Sequence, residues 1–79
     1  MRLDKYLKES RIIKRRTIAN EACDAGRVLV NDKVARASLE VKCGDIITVA
    51  FGNNETKVRV LSVNPSIHKE DAEKMYEFL

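Results

Sequence analysis

The sequence predicts an α+β domain in which two N-terminal helices pack on a small, twisted antiparallel sheet and a third helix ends the chain. Apolar residues recur at helical spacing near the N-terminus, alternate along the middle of the chain, and return to helical spacing after an Asn-Pro-Ser break at residues 64–66. The 79 residues have room for one domain, near the lower size limit for folding without disulfides or metals.

The first predicted helix covers residues 3–10. Its inner face is formed by residues at positions i, i+3, i+4 and i+7, which are Leu3, Tyr6, Leu7 and Ser10. Basic side chains occupy the other faces, so the helix is amphipathic with a basic outer surface. This spacing places Tyr6 in the core rather than against a nucleic-acid base.

The second predicted helix covers residues 17–25. Thr17 is the predicted N-cap, since a hydroxyl at that position can accept a bond from the first free backbone N–H groups. Gly26 is predicted to follow the helix end in a left-handed conformation. The free N–H groups at the helix start would lie beside Lys14, Arg15 and Arg16, an arrangement that suits an anion.

The middle of the chain predicts about four strands, because apolar and polar residues alternate with a period of two. Tight turns are predicted at Asn31-Asp32, at Gly44-Asp45 and at residues 52–54. The strands are predicted on either side of these turns, at 28–30, around Val34, at 46–51 and at 56–63.

The last segment predicts an acidic helix over residues 69–79. Its apolar face is formed by Ala72, Met75, Tyr76 and Leu79. The predicted division of the chain is therefore a domain over residues 1–64 and a C-terminal helix over residues 65–79, packed on that domain or extending from it.

Positive charge is concentrated at the N-terminus. Residues 1–16 hold seven basic and two acidic side chains, and the net charge is +5 over residues 1–42 but −2 over residues 43–79. A basic face on a small domain is typical of proteins that bind nucleic-acid phosphates. A solvated surface of ordinary lysines and arginines is the alternative interpretation of the same residues.

Other classes of function find no support in the sequence. No apolar run is long enough to span a bilayer or to act as a secretory signal, so a cytoplasmic protein is expected. Cys23, Cys43 and His68 are too far apart for a zinc motif, and the two cysteines are expected to be buried or half-buried free thiols. No catalytic arrangement or phosphate-binding glycine loop is present, which predicts a protein that is not an enzyme and needs no metal or cofactor.

Five motifs resemble the alpha-L RNA-binding motif, the domain type of small-subunit ribosomal protein S-four. They are RLDKYL at residues 2–7, RRTIA at 15–19, GRVLVND at 26–32, VA at 34–35 and VKCGDII at 41–47. The start of the chain and its last segment, with MYEFL at residues 75–79, look most like the short stand-alone members of the RqcP (YabO) group. The related heat-shock-protein-fifteen group typically carries a longer basic extension.

The resemblance implies a non-enzymatic factor of ribosome-associated quality control. Members of that group bind obstructed large ribosomal subunits through 23S rRNA and peptidyl-tRNA, and hold the tRNA in the P site while RqcH adds an alanine tail to the stalled chain. Recycling of stalled subunits, as in the heat-shock-protein-fifteen group, is one alternative. A general RNA chaperone, or a protein-interaction module that uses the acidic helix, are others. A monomer is expected.

The RNA-binding residues are predicted mainly on and between the two helices, because structured RNA is bound through cations held on a rigid surface. Arg2 and Arg16 match motif positions that the family uses for RNA. Asp4 is expected to orient neighbouring cations rather than to act as an acid. Beyond the helices lie Arg27, Lys33, Arg36 and Lys42, for which RNA contact and an ordinary solvated surface are equally good interpretations. The full predicted set is Arg2, Lys5, Arg11, Lys14, Arg15, Arg16, Arg27 and Lys33.

Overall fold

A computed structural model describes residues 1–63 and 75–79, and over those residues it confirms the α+β class. Two helices precede a five-stranded antiparallel sheet with the strand order β2-β1-β3-β4-β5. The elements are α1 (Leu3–Glu9), α2 (Arg16–Asp24), β1 (Val28–Val30), β2 (Lys33–Val34), β3 (Ile46–Phe51), β4 (Asn54–Val60) and β5 (Tyr76–Phe78).

The core lies between the two helices and one face of the sheet. α1 contributes its predicted apolar face, and Tyr6 is completely buried there, as its spacing predicted. The sheet contributes the alternate residues of β1, β3 and β4. The largest fully buried side chains include Tyr6, Leu3, Leu7, Ile47, Met75, Val28, Val41, Val58 and Val60.

The start of α1 is closed by the loop between β2 and β3. The backbone N–H of Leu3 donates to the carbonyl of Leu39 at 2.8 Å, and the N–H of Asp4 donates to the carbonyl of Ala37 at 3.1 Å. These N–H groups have no partner within a helix, so the loop supplies what a capping side chain would otherwise supply. The loop is thereby fixed against the helix that carries the first cations.

α2 ends in a Schellman motif, as its glycine predicts. The N–H of Gly26 donates to the carbonyl of Cys23, and the N–H of Arg27 donates to the carbonyl of Ala22, both at 3.0 Å. Gly26 has a φ of +74°, which a residue without a side chain adopts at little cost. The motif directs the chain from α2 into β1.

The turn between β1 and β2 is a two-residue hairpin turn with both residues left-handed, at φ +53° for Asn31 and +67° for Asp32. The Asn31 side chain also accepts a bond from the N–H of Ile46 at 3.0 Å, and the Asn31 N–H donates to the Ile46 carbonyl at 2.7 Å. This turn therefore continues the pairing of β1 with β3.

The predicted C-terminal helix is wrong at its end, because Tyr76–Phe78 form a strand that pairs with β4. Residues 64–74 lie outside the described residues. The apolar spacing that suggested a helix has another cause here, since Met75 enters the core while Tyr76 and Phe78 follow it along the edge of β4. Without β5, the backbone N–H and carbonyl groups along the edge of β4 would have no strand partner, and pairing with β5 supplies one.

Three smaller predictions are also corrected. α2 begins at Arg16 with Arg15 as its N-cap and no side-chain cap bond, so Thr17 lies inside the helix. The fourth strand runs from Asn54 to Val60 rather than from residue 56 to residue 63, so residue 54 belongs to the strand and not to the turn. Cys43 is exposed, although it was expected to be buried or half-buried, while Cys23 is buried and both are free thiols.

Candidate RNA interface

Asp4 is the centre of the candidate site. Its carboxylate is buried in the first turn of α1 and accepts a bond from the Nε of Arg2 and another from the Nε of Arg16, each at 3.2 Å. The Nδ2 of Asn20 and the backbone N–H of Lys5 complete its partners, at 3.4 and 2.9 Å. One carboxylate thus joins two arginines that are 14 positions apart, from the start of α1 and the start of α2.

The Asp4 carboxyl is ionised at neutral pH. Burial alone would raise its pKa, but the hydrogen bonds from Arg16, Asn20 and the Lys5 N–H act in the opposite direction. Together with the charge of Arg16 they outweigh burial and hold the pKa of Asp4 below its usual value. Asp4 therefore behaves as a fixed negative charge that orients the two arginines.

The geometry leaves the outer ends of both arginines available. Each guanidinium uses its Nε for Asp4, and about half of each side chain remains exposed. A guanidinium has two further nitrogen atoms beyond Nε, and these can bind phosphate oxygens. We call Arg2 and Arg16, together with the Asp4 carboxylate that holds them, the braced arginine pair. Its arrangement agrees with the orienting role predicted for Asp4 and extends that role to Arg16.

Eight further basic residues, six of them from the predicted set, have no acidic ion-pair partner in the described part of the chain. Among residues 1–63 and 75–79, no acidic side chain forms an ion pair with these exposed or half-exposed basic residues. They are Lys5, Arg11, Lys14, Arg15, Arg27, Lys33, Arg36 and Lys42.

The other described basic residues do have acidic partners. Lys8 pairs with Glu9 at 3.7 Å, and at the opposite end of the sheet Arg59 pairs with Glu77 at 2.9 Å. Lys57 lies 3.9 Å from Asp32. Positive charge without a partner is thus concentrated at the helices and the loops beside them, which favours an anionic ligand over a uniformly solvated surface.

Arg11 adopts an unusual backbone conformation. It follows the C-cap of α1 with a φ of +64°, in the left-handed region that glycine favours. Its N–H donates to the Lys8 carbonyl at 3.0 Å, which ends the helix. The side chain therefore projects from a fixed turn, and Lys14 and Arg15 follow in the short connection to α2.

Two open grooves lie beside the loop that follows β2, and the first of them reaches Arg2 of the braced arginine pair. The helix-side groove, of about 510 Å³, lies between α2 and the loop after β2, and Arg2, Asn20 and Arg36 line it. The loop-side groove, of about 750 Å³, lies beyond that loop, and Lys33, Arg36 and Lys42 line it. The structure therefore places Lys33 with Arg36 and Lys42, apart from the helical cations.

Two other kinds of site are absent from the described part of the chain. Within residues 1–63 and 75–79, no group of three or more His, Cys, Asp and Glu side chains could hold a metal ion. No described helix is long and apolar enough to cross a membrane.

Sequence reasoning missed two features of the site. The contact of Asp4 with Arg16 and Asn20 spans 12 and 16 positions, so only the packing of α1 on α2 creates it. The separation of paired from unpaired cations is likewise a property of the folded chain. The motifs RLDKYL and RRTIA contain Asp4 and Arg16, and that co-occurrence was the available signal.

The chain is similar in sequence and in fold to known proteins. The profile of the S4 domain family matches residues 1–47, which contain both helices and the braced arginine pair. Among solved structures, the chain superposes on the trimeric heat shock protein 15 of Vibrio cholerae with a TM-score of 0.90 and 28% identity, covering 100% of this chain and 81% of the other.

Several curated relatives match over the whole chain. The RQC P-site tRNA stabilizing factor of Streptococcus pneumoniae is 52% identical over 79 residues, covering 100% of this chain and 90% of that protein. The factor of the same name from Bacillus subtilis is 49% identical, covering 100% and 92%. A heat shock protein 15 homolog from Aeromonas salmonicida is 36% identical over 81% of this chain and 48% of its own length. The chain therefore belongs to the S4 domain family, within the group that includes the RQC P-site tRNA stabilizing factors.

Proposed function

We propose that this protein binds obstructed large ribosomal subunits through the braced arginine pair and stabilises the P-site peptidyl-tRNA. In this proposal it contacts 23S rRNA and the tRNA, and it supports the alanine tailing that RqcH carries out on the stalled chain. It acts in the cytoplasm, where ribosomes work, and as a binding factor rather than an enzyme.

The observation that carries this proposal is the fixed pair of guanidiniums at Arg2 and Arg16. Structured RNA presents phosphates at set separations, and a rigid pair of cations loses little side-chain entropy when it binds them. The unpaired cations around the pair add attraction at longer range. The relatives named as P-site tRNA stabilizing factors, up to 52% identical over this whole chain, support the choice of ligand.

The arginines are tested by co-sedimentation with large subunits that carry peptidyl-tRNA. Arg2→Ala and Arg16→Ala are expected to lose association while the fold persists. Arg59→Ala is a matched control, because Arg2, Arg16 and Arg59 have side chains that are each 49% exposed and each ion-paired. Arg59 lies on β4, away from the helices, and its loss should leave association unchanged. Association equal to that of the wild-type protein in all three variants would overturn the site.

The RqcH step needs its own experiment. The tagged protein is expected to recover RqcH together with large subunits and tRNA from cells in which translation has stalled. Deletion of the gene for this protein, with RqcH left intact, should reduce alanine tails on stalled chains. Tails of undiminished length and abundance in the deletion strain would refute the tailing role while leaving RNA binding intact.

A second candidate function is the recycling of stalled subunits without tailing. The close superposition on heat shock protein 15, with a TM-score of 0.90, favours it. Sequence identity favours the first candidate, since the heat shock protein 15 homolog is 36% identical and the stabilizing factor 52%. Recovery of subunits and tRNA without RqcH would support recycling instead. The proposal takes the protein to be a monomer, which light scattering after size-exclusion chromatography would check.

A further inference from the structure

The loop-side groove has cations at its rim and apolar residues on its walls. Lys33, Arg36 and Lys42 are all exposed, and none forms an ion pair with a described residue. Val34 and Leu39 are 67% and 36% exposed, so much of the surface between the cations is apolar. Cations that surround an apolar surface suit a ligand with both charged and apolar parts.

The acidic side chains in this groove are already engaged by the chain. Glu40 accepts a bond from the N-terminal ammonium of Met1 at 2.9 Å. Asp45 accepts bonds from the backbone N–H of Lys42 at 2.9 Å and from Asn31 at 3.2 Å. The three cations therefore outnumber the acidic charges that face them, and the groove attracts anions.

The loop-side groove is continuous with the candidate RNA interface. Val34, Arg36 and Ser38 line both grooves, so they form a ridge between them. Arg2 lines the helix-side groove and belongs to the braced arginine pair. On the path from the pair over this ridge, Arg2 and Arg36 outnumber Asp24, the one acidic residue among the described residues that line the helix-side groove.

Only one part of a nucleic acid fits these walls well. Bases bind single-stranded sites mainly by stacking on aromatic rings, and the residues that line this groove include no aromatic side chain. Ribose presents C–H groups to apolar walls while its phosphates reach the cations at the rim. The chemistry therefore favours the sugar-phosphate backbone over the bases.

We propose that the loop-side groove is a second RNA subsite, in which Lys33, Arg36 and Lys42 bind the sugar-phosphate backbone of the strand that leaves the braced arginine pair. This inference rests on the proposed function, because it extends the same interface. It assigns Arg36 and Lys42 to RNA contact, where the sequence alone left them equally divided between contact and solvation.

The test compares two triple variants with the same change in charge. Lys33→Gln/Arg36→Gln/Lys42→Gln removes the cations of the groove. Lys8→Gln/Lys57→Gln/Arg59→Gln removes two lysines and one arginine that have acidic partners elsewhere. All six side chains are exposed, so both variants should fold. Binding to large subunits carrying peptidyl-tRNA is measured over a series of salt concentrations.

The groove variant is expected to bind at least about tenfold more weakly, and the slope of log affinity against log salt should fall by about 1 for each phosphate that the variant no longer neutralises. The control variant should keep the wild-type slope. Equal behaviour of the two variants overturns the subsite while the proposed function stands. Failure of the wild-type protein to bind overturns the proposed function itself.

A cross-link identifies the ligand. Ser38→Cys in a Cys43→Ser background carries its only accessible thiol on the ridge, since Cys23 is buried, and it can be labelled with benzophenone maleimide. Irradiation on large subunits should give an adduct that ribonuclease shortens. An adduct sensitive only to protease would show a protein ligand instead and would overturn the proposal, as would the absence of any adduct.

Discussion

The hydroxyl of Tyr6 donates a hydrogen bond to the backbone carbonyl of Met75, 69 positions away, at 2.5 Å. The same carbonyl accepts the N–H of Leu61 at 2.7 Å. One buried oxygen therefore connects α1, the end of β4 and the start of β5. Burial raises the pKa of the Tyr6 hydroxyl well above its usual value, so the group stays protonated and remains a donor.

Removal of this hydroxyl should weaken the whole fold. Tyr6→Phe keeps the ring but deletes a buried donor, and we expect a loss of about 1–2 kcal/mol in the free energy of unfolding. Urea denaturation followed by circular dichroism measures it. Tyr76→Phe is the control. The Tyr76 side chain is only half-buried, so removal of its hydroxyl should change the free energy of unfolding little. Equal losses in the two variants would show that the hydrogen bond to Met75 contributes nothing.

The stability given by Asp4 should depend on pH. Its folded pKa lies below the unfolded value of about 3.9, so its contribution is complete above pH ~4 and is lost as pH falls through the folded pKa. At pH 7, Asp4→Asn should be less stable by about 1–3 kcal/mol. The difference from wild type should shrink below pH ~4 in urea titrations. A difference that stays constant down to a pH of about 2.5, well below that unfolded value, would contradict the assignment.

The hairpin turn offers a stabilising substitution. Asp32 holds a left-handed φ of +67°, which glycine adopts more easily, and its ion pair with Lys57 is exposed and long at 3.9 Å. We expect Asp32→Gly to raise the free energy of unfolding by about 0.5 kcal/mol. Asp32→Ala deletes the same ion pair without relieving the backbone, and it should destabilise the protein. Thermal melts of both variants test this expectation. If the alanine variant is also more stable than wild type, the gain comes from removing the Asp32 carboxylate and not from relieving the backbone.

The two thiols should react at very different rates. Burial, with the nearby charges of Asp4 and Asp24, raises the pKa of the Cys23 thiol to about 11, while Cys43 is exposed. A disulfide reagent at mildly alkaline pH should therefore label one thiol in the native protein and two in denaturant. Prompt labelling of both thiols without denaturant would mean that α2 opens readily, and Cys43→Ser should abolish the native reaction.

Local patterns predicted the elements that local forces determine. The helical spacing of Leu3, Tyr6 and Leu7 identified α1 because one face of a short amphipathic helix must be buried. Gly26 and the Asn31-Asp32 pair identified a helix end and a turn because few residues accept a left-handed backbone. These features require only neighbouring residues.

Features that depend on distant partners were not predicted. Tyr76–Phe78 form a strand only because the edge of β4 lies beside them, and their sequence alone suggested a helix. The start of α2 was placed one residue late, since no side chain caps it and Arg16 is instead held by Asp4. The residue types of the candidate site were predictable from the sequence. The ion-pair partner of each charged residue was not, because it depends on how the folded chain brings distant residues together.

The closure of α1 by the carbonyls of Ala37 and Leu39 has a consequence for synthesis on the ribosome. Arg2 and Asp4 are made early, but the start of their helix is completed only after the loop near residue 40 has left the exit tunnel and folded back. A partly made chain therefore lacks the finished candidate RNA interface. The proposed binding to other ribosomes thus becomes possible only after much of the protein's own translation is complete.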